Sequence, residues 1–303
     1  GDNAKQQLRE LIRQNYNHPS VIVWGLSNEL HQMTDEIFGL YSELYEIACK
    51  EDDTRLKTFA DNQFYGRFLE LPADVVGYNR YFGWYKDAGS AENFGEWLDL
   101  YHNEKEKRPV CLSEYGGGGA ISQHKDNVDW ESDIDPVGVR HYENYQSQLH
   151  EILWKQFSVR KYLWAEFIWC MFDFASYGRT EGDTKSLNDK GLCTRERIPK
   201  DVYFFYRSVW SSEKTVYITE RRHEFRACDV PFVKVYSNAD AVELCINDVS
   251  YGRISRCELS DDENTVFVWK NIKIIPDTKN KICAKAYFSD GTSRTDYAFW
   301  TGK

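Results

Sequence analysis

The sequence predicts an α/β class in two parts: a parallel sheet wrapped by helices, then an all-β, immunoglobulin-like sandwich. Two changes of pattern carry that prediction. Up to about residue 210, short apolar runs alternate with helix-like stretches, the order that builds a parallel sheet with helical crossovers. Around Ser211-Ser212-Glu213 the character changes, and about seven short strands follow in roughly 90 residues, the spacing of a β-sandwich. Composition agrees: 42% of the 303 residues are hydrophobic and 28% charged, which excludes disordered and collagen-like chains. The predicted domains are residues 1–212 and 213–303.

The elements follow in order. Residues 4–16 form a helix with Leu8, Leu11 and Ile12 on one face. Residues 21–26 (Val-Ile-Val-Trp-Gly-Leu) are apolar throughout, as a strand buried on both faces should be. A helix over residues 35–50 precedes strands at 58–60, 75–78, 110–112 and 163–169, with helices at 93–105 and 142–156 between the later ones. Beyond residue 215, strands are predicted at 232–236, 241–246, 265–269, 282–288 and 296–300. Asn247-Asp248, Ser260-Asp261-Asp262 and Asp290-Gly291 supply the turn chemistry between them.

Several function classes are excluded early. No apolar run approaches the ~18 residues of a membrane span, and no secretion signal opens the chain. The net charge of -10 and pI near 5.3 argue against a nucleic-acid binder, which needs a basic face. The 10 Trp, 20 Tyr and 17 Phe hint at carbohydrate, whose C–H faces stack on rings, although composition alone favours an aromatic-rich core. The eight cysteines show no metal-ligand spacing and read as free thiols in strand-like runs, with a disulfide in the last 90 residues left open. The histidines show no ligand spacing either.

Chemistry in a parallel α/β barrel sits at the C-terminal ends of the strands. Two glutamates occupy such places: Glu29, after Asn28 and the strand at 21–26, and Glu114, after 110–113. They are 85 residues apart, about three βα units of roughly 30 residues. In an eight-stranded barrel they face each other across the mouth. Two facing carboxylates are what glycosidic hydrolysis needs, one to protonate the leaving oxygen and one to attack or to activate water. Singly, each has a plainer reading, Glu29 as a helix-start acid and Glu114 as a loop residue before a glycine run.

The segment Asn17-His18-Pro19-Ser20-Val21-Ile22-Val23-Trp24-Gly25-Leu26-Ser27-Asn28-Glu29 closely resembles the acid/base segment of glycoside hydrolase family 2. Arg108-Pro109-Val110-Cys111-Leu112-Ser113-Glu114-Tyr115-Gly116 is similar to its nucleophile segment. Asn79-Arg80-Tyr81-Phe82-Gly83-Trp84-Tyr85 resembles the end of its sixth barrel strand, and residues 164–174 with Asn188-Asp189-Lys190-Gly191-Leu192 its eighth. The resemblance implies the C-terminal portion, strands 4 to 8, of a TIM (β/α)8 barrel. Three βα units and the preceding sandwich of the family are then missing, the first strand has an open edge, and this piece alone is expected to be weakly active or inactive.

What the resemblance implies for the site is specific. Glu114 is the nucleophile and Glu29 the acid/base of a retaining, double-displacement glycosidase, their carboxyl groups about 5–5.5 Å apart. Asn28 holds the sugar 2-hydroxyl, Tyr81 bonds Glu114, and Trp169 walls the sugar. Asn188 and Lys190 share the Asn-x-Lys spacing with which β-glucuronidases of the family hold a sugar carboxylate. The character of the C-terminal domain favours a β-galactosidase, with β-glucuronidase as the alternative and a non-catalytic carbohydrate-binding or assembly fragment as the rival from another class. Gly117 stands where well-known galactosidases carry a His, and His124 has a glucuronidase counterpart. Residues 116–119 lack the Lys-Ser/Thr of a phosphate loop and read as a tight turn. The expected partner is a β-linked glycoside or oligosaccharide. No cofactor, no catalytic metal and no nucleic acid are expected. A homo-oligomer, a structural cation and a periplasmic or cytoplasmic bacterial location stay open.

Overall fold

The computed structural model describes residues 1–63, 65–260 and 264–303, so Asp261 and Asp262 of one expected turn lie outside the described residues. In chain order the elements of the first two-thirds begin with α1 (Asp2–Asn15), β1 (Val23–Asn28), α2 (Asp35–Glu51), β2 (Leu56–Asp61) and β3 (Val76–Asn79). They continue with α3 (Phe94–Glu104), β4 (Val110–Tyr115), α4 (Trp130–Asp133), α5 (Glu143–Ser158) and β5 (Leu163–Ile168). The short strands β6 (Phe174–Ala175) and β7 (Leu187–Asn188) precede α6 (Asp201–Trp210). The last third holds β8 (Val216–Ile218), β9 (Phe225–Arg226), β10 (Asp229–Ser237), β11 (Ala241–Ile246), β12 (Val249–Ser255), β13 (Val266–Lys273), β14 (Lys279–Tyr287) and β15 (Ser293–Gly302). The chain folds as two compact units that interleave along the sequence, residues 1–82, 93–115 and 159–168 in one and the remainder in the other.

The first unit is a five-stranded sheet in the order β1-β2-β3-β4-β5, every neighbouring pair parallel. Its helices pack by their apolar faces: Leu8 and Ile12 of α1 and Ile47 and Ala48 of α2 close over Trp24 of β1. Leu11 departs from the expected face and is exposed, because Leu8 and Ile12 are four residues apart and align while Leu11 projects about a quarter-turn away. Thr34 starts α2 by accepting the Ile37 N–H at 3.2 Å, and Asp35 and Glu36 complement the helix dipole. Trp24 is a core residue, its indole N–H donating to the buried Asp52 at 2.9 Å. Its share of the aromatic content is therefore structural.

The second unit contains two β-sheets that share one core. One has the order β13-β10-β8 and the other β12-β11-β14-β15-β9, antiparallel except where β9 joins β15. Alternation along the strands buries Val233, Val235, Phe267, Leu244, Ile282 and Trp300 in that cluster. Asn247 and Asp248 form the two-residue link between β11 and β12, with φ of +50° and +64°, as a hairpin matching the strand twist requires. Helices α5 and α6 pack together in this unit, and α6 also packs on β10.

Candidate active site

Both expected glutamates lie at the C-terminal end of the parallel sheet, three strands apart in its order. Glu114 is not beyond its strand, as the sequence suggested, but is the penultimate residue of β4. Two irregularities in the ladder aim the side chains. In β1 the register moves from Gly25↔Thr58 to Asn28↔Ala60, so three steps on one strand face two on the other. Between β3 and β4 it moves from Tyr78↔Leu112 to Asn79↔Glu114, so Ser113 is the extra residue and Glu114 stands opposite Asn79. An inserted residue of this kind turns the following side chain to the other face.

Glu29 then takes φ of +50°, and its N–H still donates to Ala60 O at 2.9 Å. A left-handed backbone costs a residue with a Cβ about 1–2 kcal/mol. Among the described residues of the first unit, Glu29 is the sole non-glycine residue to carry that strain. Strain of this type persists where surrounding contacts enforce it, and functional sites are where it collects.

The side chains of this sheet end converge on Asn79. Its buried amide donates to Glu29 Oε1 at 2.8 Å and to Asn28 Oδ1 at 3.0 Å, and its carbonyl accepts from Ser113 Oγ at 2.7 Å. One side chain thus ties the ends of β1, β3 and β4. Asn28 accepts from Asn79 through Oδ1, and its side chain is otherwise exposed. Gly77 makes the approach possible: a Cβ there would lie 2.7 Å from Ser113 Oγ. The Tyr81 hydroxyl donates to Glu114 Oε2 at 2.6 Å, and the Arg80 N–H to Glu114 O at 2.9 Å. Both carboxylates are half-buried. On β5, burial pushes the Glu166 carboxyl above its ordinary range.

Asn79 lies within the segment that carries the family resemblance but is not among the expected site residues. The signal was present, a polar residue directly after the apolar run 75–78, the same pattern that marks Asn28 and Glu29.

The other expected site residues belong to the second unit. Trp169 is half-buried and meets Phe174 edge-on at 5.8 Å. Asn188 Oδ1 accepts the Lys190 N–H at 3.0 Å, so the Asn-x-Lys spacing closes a tight local turn. The buried Lys190 Nζ donates to the Tyr85 hydroxyl at 3.2 Å and lies 5.8 Å from the Trp84 ring centroid. Residues 116–119 are not a turn. They are a buried, irregular stretch in which a Cβ at Gly117 would meet Trp84 at 2.7 Å and one at Gly118 would meet Asp189 at 2.4 Å. Close packing explains this glycine run.

One group of possible metal ligands occurs among the described residues, Asp126, Glu220 and His223, whose ligand atoms lie within 4.8 Å of one another. Sequence spacing missed it because Glu220 and His223 are 94 or more residues from Asp126. The buried Arg226 guanidinium bonds both Asp126 and Glu220, the latter at 2.9 Å. The cluster therefore already has its cation.

Comparison with known proteins places this arrangement. Residues 2–215 match the family described as glycosyl hydrolases family 2, TIM barrel domain, and residues 230–294 match a domain of unknown function, DUF4982. A β-glucuronidase of Bacteroides fragilis is 38% identical over 275 residues, covering 90% of this chain and 38% of that protein. The solved FMN-binding β-glucuronidase from Faecalibacterium prausnitzii L2-6 superposes with a TM-score of 0.87 at 33% identity, over 100% of this chain and 44% of that one. A solved structure assigned as a β-galactosidase of Bacteroides fragilis gives a TM-score of 0.89 at 31% identity, again over 100% of this chain and 44% of the other. The chain thus spans about two-fifths of the length of these relatives, 38% to 44%. With a family match over more than two-thirds of its residues, the chain belongs to glycoside hydrolase family 2.

Proposed function

We propose that this chain carries the catalytic pair of a retaining β-glucuronidase, Glu114 as nucleophile and Glu29 as acid/base. The observation that carries the reading is the pair of register shifts that bring Glu29 and Glu114 to the sheet end, with Asn79 bridging the strands beneath them. In the first step a Glu114 oxygen bonds the anomeric carbon while the bond to the leaving oxygen breaks and Glu29 donates a proton to that oxygen. In the second, Glu29 takes a proton from water as the water displaces Glu114 and frees the sugar with its configuration retained. Tyr81 steadies the Glu114 charge before attack, and the Asn28 amide holds the 2-hydroxyl, a contact that strengthens in the transition state.

The sugar assignment moves from galactoside to glucuronide. The B. fragilis relative at 38% identity is a β-glucuronidase, and so is the F. prausnitzii structural neighbour. Lys190, with Asn188 fixing its turn, supplies the cation that a uronate carboxylate needs and a galactose hydroxymethyl group does not. The family resemblance, rather than any contact of its ring, is what supports Trp169 as an aromatic partner of the sugar. On the same footing we assign β1–β5 to strands 4 to 8 of a (β/α)8 barrel and the two C-terminal sheets to an immunoglobulin-like sandwich, with the boundary at residues 212 and 213.

The test is hydrolysis of an aryl β-glucuronide against the matching β-galactoside by the full-length protein. The glucuronide should be preferred at least tenfold in kcat/KM. A preference for the galactoside overturns the sugar assignment, and hydrolysis of neither overturns the catalytic reading in favour of a binding module.

A further inference from the structure

Away from the catalytic residues, the outer face of the sheet β12-β11-β14-β15-β9 has an unusual surface. Alternation sends Ile282, Ala284, Ala298 and Trp300 into the core, so the residues between them on β14 and β15 face outward. The register sets Lys281 beside Phe299, Cys283 beside Tyr297, and Phe225 of β9 beside Thr301. Phe225, Tyr297 and Phe299 are 53%, 48% and 45% exposed, on adjoining strands of one face. Single exposed aromatics are ordinary on protein surfaces, but a row on one sheet face marks an interaction site.

Each ring has its own cation. Lys303 Nζ lies 3.9 Å from the Phe225 centroid, Lys279 Nζ 4.8 Å from Phe299, and Lys281 Nζ 5.3 Å from Tyr297. Farther across the face, Lys285 and Arg253 flank Tyr287 at 5.2 and 4.1 Å. Asp248 pairs with Lys281 at 3.2 Å, Glu243 accepts from the Tyr287 hydroxyl at 3.0 Å and Glu224 adjoins Phe225, so these five cations still outnumber the three carboxylates, on a chain whose net charge is -10. A groove of about 370 Å³ runs beside Lys279, Tyr297 and Phe299.

We propose that this face binds a uronate-containing oligosaccharide. The apolar C–H face of a sugar ring, slightly positive, lies on the negative face of an aromatic ring. An ammonium that rests over the ring in the unbound protein can move a few ångströms to a carboxylate on the same sugar, keeping the charge paired throughout. A neutral glycan would use the rings and gain nothing from the charge of the lysines. A polyanion lacking sugar faces would use the lysines alone. The repeated pairing of ring and cation fits a ligand that presents both a pyranose face and a carboxylate. This surface stands apart from the hydrolytic reading and does not depend on it.

The experiment is calorimetric titration of the full chain, carrying Glu114→Gln to prevent turnover, with a hyaluronan decasaccharide, a neutral dextran of similar length and dextran sulfate. Hyaluronan should bind, at least tenfold tighter than dextran. Tyr297→Ala/Phe299→Ala should weaken it at least tenfold, and Lys279→Gln/Lys281→Gln should weaken it similarly and flatten its salt dependence. All four positions are on the surface, and an unchanged Tm would show that the fold is kept. Absent binding, binding that survives both double variants, or equal binding of dextran overturns the proposal. So does a ring variant that still binds hyaluronan as tightly as dextran sulfate, which would reduce the surface to charge. Aryl glucuronide hydrolysis by the unsubstituted protein, run alongside, fails or succeeds independently.

Discussion

Carboxylates occur in two contrasting settings, half-buried strand ends and buried charge pairs, the latter found in both units, as in Asp52 with Arg55 and Glu143 with Arg222. In the first, Glu29 and Glu114 are half-buried at strand ends and take hydrogen bonds from the Asn79 amide and the Tyr81 hydroxyl. In the second, Glu143 is wholly buried and bonds the Arg222 guanidinium at 2.6 Å and the Asp201 N–H at 3.0 Å. Asp201 is buried beside it, accepts the Tyr217 hydroxyl at 2.6 Å, and is pushed up by burial and by the charge of Glu143. Glu151 pairs with Lys234 at 2.7 Å. Removing one partner of a buried, charge-paired group leaves the other uncompensated, so such groups fix how elements pack. A half-buried carboxylate at a strand end can gain a bond or a proton at a smaller cost than a fully buried one. The difference separates the carboxylates that hold the structure from those able to do chemistry.

The sharpest way to break that comparison is Glu114→Gln in the full-length protein. Loss of the nucleophile should lower kcat on an aryl β-glucuronide by about 10³-fold or more, with thermal unfolding unchanged. A large fall in Tm with it would place Glu114 among the structural carboxylates. Trp300→Ala tests the other side. The ring is 1% exposed in the core shared by both sheets, and its loss should cost about 3–5 kcal/mol in denaturant unfolding. The protein that stays folded should keep its kcat.

Lys190→Met should act on substrate choice. Removing a charge-assisted contact should raise KM for the glucuronide by about 10- to 100-fold and leave the slow galactoside rate almost unchanged. An equal effect on both substrates would make Lys190 a packing residue.

The smallest expected effect is a pH slope. His150 of α5 is fully buried, its Nδ1 2.9 Å from the Tyr206 hydroxyl of α6, and burial holds it down to about 3. The unfolded chain binds its proton near pH 6.5, so between about 6.5 and 3 the unfolded state holds more protons. Stability from this group is complete above pH 6.5 and falls as pH drops, by at most about 1.4 kcal/mol per pH unit. His150→Asn should flatten that slope in urea titrations at stepped pH. An unaltered slope would assign the acid sensitivity to other groups.

The alternation of apolar strands and amphipathic helices made the parallel sheet legible, since β1–β5 each contain a run the pattern marks. Helix α6 was not, because its sequence DVYFFYRSVW is rich in aromatic and β-branched residues that suit strands equally well. Packing on α5 and β10 decides its state. Strand β12 escaped for the opposite reason: most of it is exposed, so its residues carry no burial alternation. Within the site, Glu29 and Glu114 were marked by their place after apolar runs. The register shifts that aim them depend on pairing between distant segments, and no local pattern records that. Asn79 carries the same local mark, a polar residue after an apolar run, but its place opposite Glu114 follows only from that pairing.

The central claim is that Glu114 forms the covalent bond to the sugar. It is tested most directly by treating the full-length protein with 2-deoxy-2-fluoro-β-glucuronyl fluoride and mapping the labelled peptide by mass spectrometry. One sugar adduct should form, on the peptide containing Glu114, and none in Glu114→Gln. An adduct on Glu29 or on any other residue, or turnover with inverted configuration and no adduct, would contradict it.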